Sequence, residues 1–223
     1  MSLMEQYVKE AAGAQIAREV DKGTMRTWSG VLVDPLHPQH DTVRIDDIAH
    51  ALSLVCRYSG HIDDHYSVAQ HSVEVSYLLE NMGATPLCQL MGLLHDAEEA
   101  YFGDMSSPLK KHYPDYRKHG EAMREFIMDK YIPDWRELPM YEDLVHKADQ
   151  DMYQIERISM LLPYGEAEEL CNKKYGRSVI KYGKEPKEVE AEFLRRFASL
   201  GATERVSVEG RGAVSPKSNH ERY

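Results

Sequence analysis

The alternation of apolar and polar positions along the chain is mainly that of amphipathic helices. Apolar residues recur three and four positions apart in several segments, which places them on one face of a helix. The predicted helices are Met4–Val20, a helix capped by Asp46 or Asp47 that carries Ile48, Leu52 and Val55, a helix from Ser67 to Asn81, a helix from Thr85 to Gly103, Tyr116–Tyr131, Tyr141–Leu162 and Glu185–Leu200.

Capping and breaking residues support these boundaries. Ser67 can accept a hydrogen bond at the start of its helix, and Thr85 can do so before a proline at the first helical position. Gly83 and Pro163 are typical stop signals. No element is assigned between Pro163 and Glu185.

A short β-rich segment interrupts the helical pattern. Residues Thr24–Val33 are rich in β-branched and aromatic side chains around Gly30, and a loop containing Pro35 and Pro38 follows. The sequence therefore predicts an all-α bundle with a small β-hairpin-like extension near residues 24–45. One domain is expected over residues 1–200, with a polar tail at 201–223.

Composition narrows the possible partners. The 223 residues carry 27 Lys and Arg against 37 Asp and Glu, a formal charge of -10, which argues against a groove that wraps duplex nucleic acid. No apolar run approaches the ~18 residues of a membrane helix, so no membrane partner is expected. The first residues lack a signal-peptide pattern and the three cysteines are far apart, which predicts a cytoplasmic protein.

Charged residues follow a strongly apolar stretch in the segment GLLHDAEE, residues 92–99. Burying an unpaired charge costs several kcal/mol, so His95 and Asp96 need a partner. Glu99 is predicted to project to the same side of the helix, whereas Glu98 is predicted to lie on a solvated face. A divalent cation would satisfy the group. A core histidine bonded to a carboxylate would also satisfy it, and this segment alone does not separate the two.

Two other predicted helices supply matching side chains. His71 falls on the core-facing side of its helix, and Asp149 lies among the apolar residues of a later one. Two imidazoles and two carboxylates could thus converge from three helices. Such a mixed set suits a first-row divalent metal with positions left open for water or substrate.

The arrangement of His71, His95-Asp96 and Asp149 resembles the H…HD…D pattern of the HD-domain metal-dependent phosphohydrolases. Residues 90–110, LMGLLHDAEEAYFGDMSSPLK, are similar to the pattern LLHDxxExxxGDxxxPxK of the subgroup that contains bacterial 5'-deoxynucleotidases and phage dNTP triphosphohydrolases. AQHS at 69–72 resembles that subgroup's EHS, with Gln70 replacing the acidic residue, and KAD at 147–149 matches its last motif. The resemblance covers about residues 45–160.

The resemblance implies roles for the matching residues. The metal ligands would be His71, His95, Asp96 and Asp149, and the ion could be Mn, Co, Fe, Zn or Mg. Glu99 would position or deprotonate the attacking water, and Asp104 would assist with the water or the leaving group.

The resemblance also points to substrate contacts. Arg57 would contact the nucleotide together with Tyr58, which stands where the subgroup usually has Trp and so leaves base or sugar selectivity open. Lys110 matches a phosphate-binding lysine. Outside the resemblance, His61 is an additional candidate for phosphate, and an exposed loop histidine is the alternative interpretation of that residue. A homo-oligomer, a dimer or larger, is also implied.

Two enzymatic functions and two non-enzymatic alternatives are compatible with this pattern. The preferred one is hydrolysis of deoxynucleoside 5'-monophosphates to deoxynucleoside and phosphate, because only two cations, Arg57 and Lys110, are expected near the metal. An alternative is a triphosphohydrolase that releases tripolyphosphate from a dNTP. A non-catalytic nucleotide-binding adaptor has no need of a water-activating Glu99. A plain helical domain with a satisfied His-Asp pair would bind no metal at all.

Overall fold

Helices make up most of the computed structural model, which describes residues 23–201 and confirms the predicted all-α class. The predicted helix Met4–Val20 and nearly all of the predicted tail lie outside the described residues. The helices are α1 (Ile45–Leu54), α2 (Val68–Asn81), α3 (Pro86–Leu94), α4 (Glu99–Phe102), α5 (Ser107–Lys110), α6 (Pro114–Tyr131), α7 (Pro139–Leu161), α8 (Tyr164–Tyr175) and α9 (Pro186–Ser199). Short 3-10 turns occupy Arg57–Gly60 and Trp135–Glu137.

The predicted hairpin is present and is anchored to α1. Strand β1 (Met25–Arg26) pairs antiparallel with β2 (Leu32–Val33). The buried Asp47 carboxylate accepts hydrogen bonds from the Ser29 amide and hydroxyl, both at 2.7 Å, and from Thr27 Oγ1 at 2.8 Å. Asp47 is therefore not the predicted helix cap: its oxygens are used by the hairpin, and α1 begins after Arg44.

Side-chain caps and prolines set the starts of other helices. Ser67 Oγ accepts from the Gln70 amide at 3.1 Å, and Thr85 Oγ1 accepts from the Cys88 amide at 3.3 Å, as predicted. Proline lies in the first turn of α3, α6, α7 and α9, where its missing N–H leaves no bond unmade.

The helix predicted from Thr85 to Gly103 is interrupted. Helix α3 ends at Leu94, α4 begins at Glu99, and the residues between them form turns. The Gly92 carbonyl, which a continuing helix would pair with a backbone amide, accepts from His95 Nδ1 at 2.7 Å. Beyond it the backbone bonds shorten to the i to i−3 pattern, as from Glu99 to Asp96. Helix α8, for which no element was predicted, follows Pro163 and ends at a left-handed Gly176.

Close packing brings three parts of the chain to one place. Helix α2 packs against α3, and α7 packs against both, while α9 covers α1 and α2. A Cβ atom added at Gly92 would lie 2.3 Å from Leu79 Cδ1, so glycine allows α2 and α3 to approach closely. None of the helices described is both long and apolar enough to span a lipid bilayer.

Candidate metal centre

Four side chains from three segments meet at the centre of the bundle. His71 lies in the first turns of α2 and is fully buried. His95 and Asp96 occupy the turn after α3, and Asp149 lies near the middle of α7. The interruption of the predicted helix after Leu94 therefore coincides with the two residues of the HD pair.

The ligand atoms are spaced as one ion requires. His71 Nε2 lies 3.3 Å from His95 Nε2, 3.7 Å from Asp96 Oδ2 and 3.1 Å from Asp149 Oδ1. His95 Nε2 lies 3.3 Å from Asp96 and 3.7 Å from Asp149. Ligands about 2.0–2.2 Å from a divalent ion are about 3.0–3.5 Å apart at neighbouring positions. His71, His95 and Asp96 form a group able to hold a metal ion, and Asp149 adjoins both histidines.

Hydrogen bonds fix both imidazoles in the ligand tautomer. His71 Nδ1 lies 2.6 Å from Glu156 Oε1, and His95 Nδ1 lies 2.7 Å from the Gly92 carbonyl. Each acceptor assigns a proton to Nδ1, which leaves the Nε2 lone pair directed at the shared centre. An ordinary buried His-carboxylate pair needs no second imidazole with its Nε2 at the same point.

The electrostatics of the cluster also favour a cation. Burial by itself lowers the pKa of His95, but the carboxylates of Asp96 and Asp149 outweigh burial and raise the pKa well above its ordinary value. Burial raises the pKa of Asp149, but its bonds to the two histidines hold that pKa far below the usual range. The two histidines likewise outweigh burial and lower the pKa of Asp96. Both carboxylates thus stay ionised, and the positive charge they require is supplied by protons on the histidines when no metal is bound.

Glu156 is a functional residue that the sequence analysis missed. This carboxylate of α7 is 0% exposed. Besides His71 it accepts from Tyr66 OH at 2.9 Å, Arg57 Nη2 at 3.2 Å and the Tyr58 hydroxyl. Burial by itself raises the pKa of Glu156, but His71 and Arg57 outweigh burial and lower it to about 2. One buried anion therefore holds both a candidate metal ligand and a candidate phosphate-binding cation.

A second group of carboxyls lies beside Asp96. Glu99 is buried, and its Oε1 accepts from Lys110 Nζ at 2.8 Å. Burial, with repulsion from Asp96, raises the pKa of Glu99 to about 9 and that of Glu98 to about 8. The prediction that Glu98 lies on a solvated face is wrong, because its Oε2 is buried and has no hydrogen-bond partner among residues 23–201. The shortened turn after α3 carries it inward.

A cavity of about 500 Å³ opens beside the cluster. It brings several of the predicted site residues together: Arg57, Tyr58, Asp96, Glu99, Asp104, Lys110 and Asp149. Arg57 Nη1 lies 3.7 Å from Asp96, and Arg57 Nε is a buried donor with no acceptor in the described part of the chain. Burial raises the pKa of Asp104, an effect that Arg57 and Lys110 oppose.

The segment after Arg57 has an unusual backbone. Tyr58 and Ser59 both have left-handed conformations, with φ of 58° and 53°. The Arg57 amide donates to the Tyr66 carbonyl at 2.9 Å and the His61 amide to the Tyr58 carbonyl at 3.0 Å. His61 does not line the cavity of the metal centre. It borders a second cavity on the other side of Tyr58.

Comparisons with known proteins agree with this geometry. A family model described as HD domain matches residues 68–196. The chain is 40% identical over 112 residues to YfdR, an uncharacterized protein of Escherichia coli K12, which covers 49% of this chain and 60% of that protein. It is 43% identical over 89 residues to an uncharacterized protein of Rhodobacter capsulatus, covering 38% of this chain and 45% of that protein. The chain thus aligns with less than two thirds of the length of either relative.

Proposed function

The chain belongs to the HD-domain family of metal-dependent phosphohydrolases, and from that premise we propose that it hydrolyses deoxynucleoside 5'-monophosphates to deoxynucleoside and inorganic phosphate. The observation that carries the proposal is the pair of imidazoles with both Nε2 atoms facing two carboxylates, at the edge of a cavity lined by Arg57 and Lys110.

The residues fit a divalent cation held by His71, His95, Asp96 and Asp149. When bound, such an ion polarises a phosphoryl oxygen and lowers the pKa of water. We assign to Glu99 the role of accepting the proton of the attacking water. Burial and repulsion from Asp96 raise its pKa to about 9 in the metal-free protein, and a cation held beside Asp96 would lower that pKa and ionise the carboxyl for this role. Lys110 holds Oε1 of this carboxyl and leaves Oε2 without a partner among residues 23–201.

In this proposal Arg57 binds the phosphate. Its guanidinium is anchored at Nη2 by Glu156, while the buried Nε lacks an acceptor within the described residues. A phosphate oxygen would supply that acceptor, and a guanidinium fixed by a carboxylate loses little freedom on binding. In the reaction the P–O5' bond breaks, the water oxygen joins phosphorus, and the deoxynucleoside oxygen takes up a proton. We assign to Asp104, which lines the same cavity, the role of donating that proton to the deoxynucleoside oxygen.

Charge favours a monophosphate over a triphosphate. The cavity lining carries two basic side chains, Arg57 and Lys110, against four carboxyls, Asp96, Glu99, Asp104 and Asp149. A divalent ion brings this lining only to formal neutrality. A triphosphate would add about twice the negative charge of a monophosphate, and the lining of this cavity offers no third basic side chain among residues 23–201 to meet it. Assembly into a homo-oligomer stays a prediction.

The test is to incubate the protein with Mn²⁺ or Co²⁺ and either dAMP or dATP, and to identify the products by phosphorus NMR. Inorganic phosphate from dAMP supports the proposal, and tripolyphosphate from dATP would replace it with the triphosphohydrolase. Metal binding without turnover of either nucleotide would favour the adaptor. Glu99→Gln serves as the inactive control, and Arg57→Ala should raise KM for dAMP.

A further inference from the structure

A second cavity adjoins the cavity of the metal centre. Its volume is about 490 Å³, and Tyr58 and Tyr153 line both spaces, so the two cavities meet at these two rings. Much of the lining of the second cavity is aromatic or apolar, from Tyr58, Tyr153, Tyr182, Ile62, Met160 and Leu161. We call it the side cavity.

Helix α7 connects the two spaces along one face. Asp149, Tyr153 and Arg157 are spaced four residues apart, so they follow one another on the same side of the helix, about 6 Å per step. Of these two cavities, Asp149 lines that of the metal centre and Arg157 lines the side cavity. Tyr153, between them on the helix, lines both. A molecule with its phosphate at the metal centre would therefore have to pass Tyr153 to enter the side cavity.

The rings of the two shared tyrosines are close to parallel. Their ring centroids are 6.5 Å apart and their planes differ by 23°. A flat ring in contact with both faces needs about 7 Å between them, since each contact takes about 3.5 Å. The centroid distance is the upper limit of the present spacing, so one ring must move outward to admit a base. Tyr58 is held by Glu156 through its hydroxyl, whereas Tyr153 is 41% exposed and is the ring free to move.

We propose that the side cavity binds the nucleobase of the substrate, stacked between Tyr58 and Tyr153; this rests on the proposed function. The chemistry is stacking rather than recognition of one base. The hydroxyls of Tyr58, Tyr182 and Ser159 all donate to acceptors of α7. Of the other polar side chains in the lining, His61, Asp63 and Asp64 are exposed to solvent, and the Arg157 guanidinium lies 5.7 Å from the centroid of the Tyr153 ring. Aromatic stacking accepts any base, because every base presents a π face. The four common deoxynucleoside monophosphates should therefore bind with similar affinity.

The test compares dAMP with 2-deoxyribose 5-phosphate, which has the same phosphate ester and no base. In the Mn²⁺-loaded wild type we expect KM for deoxyribose 5-phosphate to exceed that for dAMP by about 5- to 100-fold. In Tyr153→Ala this ratio should fall towards one, and in Tyr153→Phe it should be retained. Tyr164→Ala removes another exposed tyrosine, 68% exposed in α8, and should keep the wild-type ratio.

The outcomes separate the two proposals. If wild type releases phosphate from neither compound, the proposed function fails and the base site fails with it. If wild type hydrolyses both with equal KM, or if Tyr153→Ala leaves the ratio as in wild type, the base site is overturned while the phosphohydrolase stands. A ratio that falls in Tyr153→Ala and in the Tyr164→Ala control alike would also overturn it.

Discussion

Replacing Glu156 with glutamine tests the buried carboxylate on which the candidate metal centre depends. Oε1 accepts from His71 and Tyr66, and Oε2 accepts from Arg57 and Tyr58. Glutamine keeps the shape but turns an NH₂ group towards one of these pairs, whichever way the amide lies. One orientation leaves the His71 imidazole without its acceptor, and the other leaves the Arg57 guanidinium without its acceptor, in a fully buried place.

The structure sets the size of the effect. A hydrogen bond to a charged group contributes about 1.5–3 kcal/mol, and an uncompensated buried charge costs about 3–5 kcal/mol. We expect the metal-free Glu156→Gln protein to lose about 3–5 kcal/mol of unfolding free energy. Because Glu156 also orients the His71 imidazole, Mn²⁺ affinity should fall by about 10- to 100-fold.

The assay is urea unfolding in EDTA together with calorimetric titration of Mn²⁺. Tyr66→Phe is the matched control, since it removes one uncharged donor from the same carboxylate, at a cost of about 1.5–3 kcal/mol, and leaves the charge of Glu156 and its bonds to His71 and Arg57 in place. If Glu156→Gln folds and binds Mn²⁺ within about threefold of wild type, His71 does not need this carboxylate and the reasoning is refuted.

Three further substitutions examine the neighbouring carboxyls. Asp96→Ala should abolish hydrolysis and the rise in melting temperature on adding Mn²⁺, and a rise that persists would remove Asp96 from the ligand set. Glu99→Ala should lower kcat by about 100-fold or more with metal content by elemental analysis unchanged, whereas lost metal would make Glu99 a ligand. The pKa of Glu98 is raised to about 8 in the folded protein. Its contribution to the free energy of unfolding is therefore fully present below the ordinary pKa of a glutamate and is lost as pH rises through about 8. Glu98→Gln in EDTA should therefore gain in melting temperature over wild type as pH rises from about 5 to 9, and parallel profiles would contradict the argument.

Local signals in the sequence were enough for much of the fold. Ser67 and Thr85 cap the helices that they were predicted to cap, because a short hydroxyl side chain at that position can accept a hydrogen bond from a free backbone amide of the first turn. The β-rich segment predicted around Gly30 forms a hairpin, and Gly30, with φ of 91°, lies in the turn between its two strands. These features depend on residues only a few positions apart.

Features that depend on distant partners were not predictable in this way. The apolar pattern continues through Leu94 and gives no sign that His95 will take the Gly92 carbonyl and end the helix. Glu156 looks like any glutamate of an amphipathic helix, and its four donors lie 85 to 99 positions away. Asp47 was misassigned as a cap for the same reason, since its partners in the hairpin lie 18 to 20 residues earlier.

The left-handed conformations of Tyr58 and Ser59 imply a trade-off between thermal stability and activity. A non-glycine residue in this conformation costs about 1–2 kcal/mol, so a search for thermostable variants would be drawn to Ser59→Gly. Glycine at position 59 would relieve the backbone strain, but it would also make the segment that holds Arg57 and Tyr58 against Glu156 more flexible. Selection for higher thermal stability alone would therefore lower activity at this turn. A stabilised variant should be judged by its kcat as well as by its melting temperature.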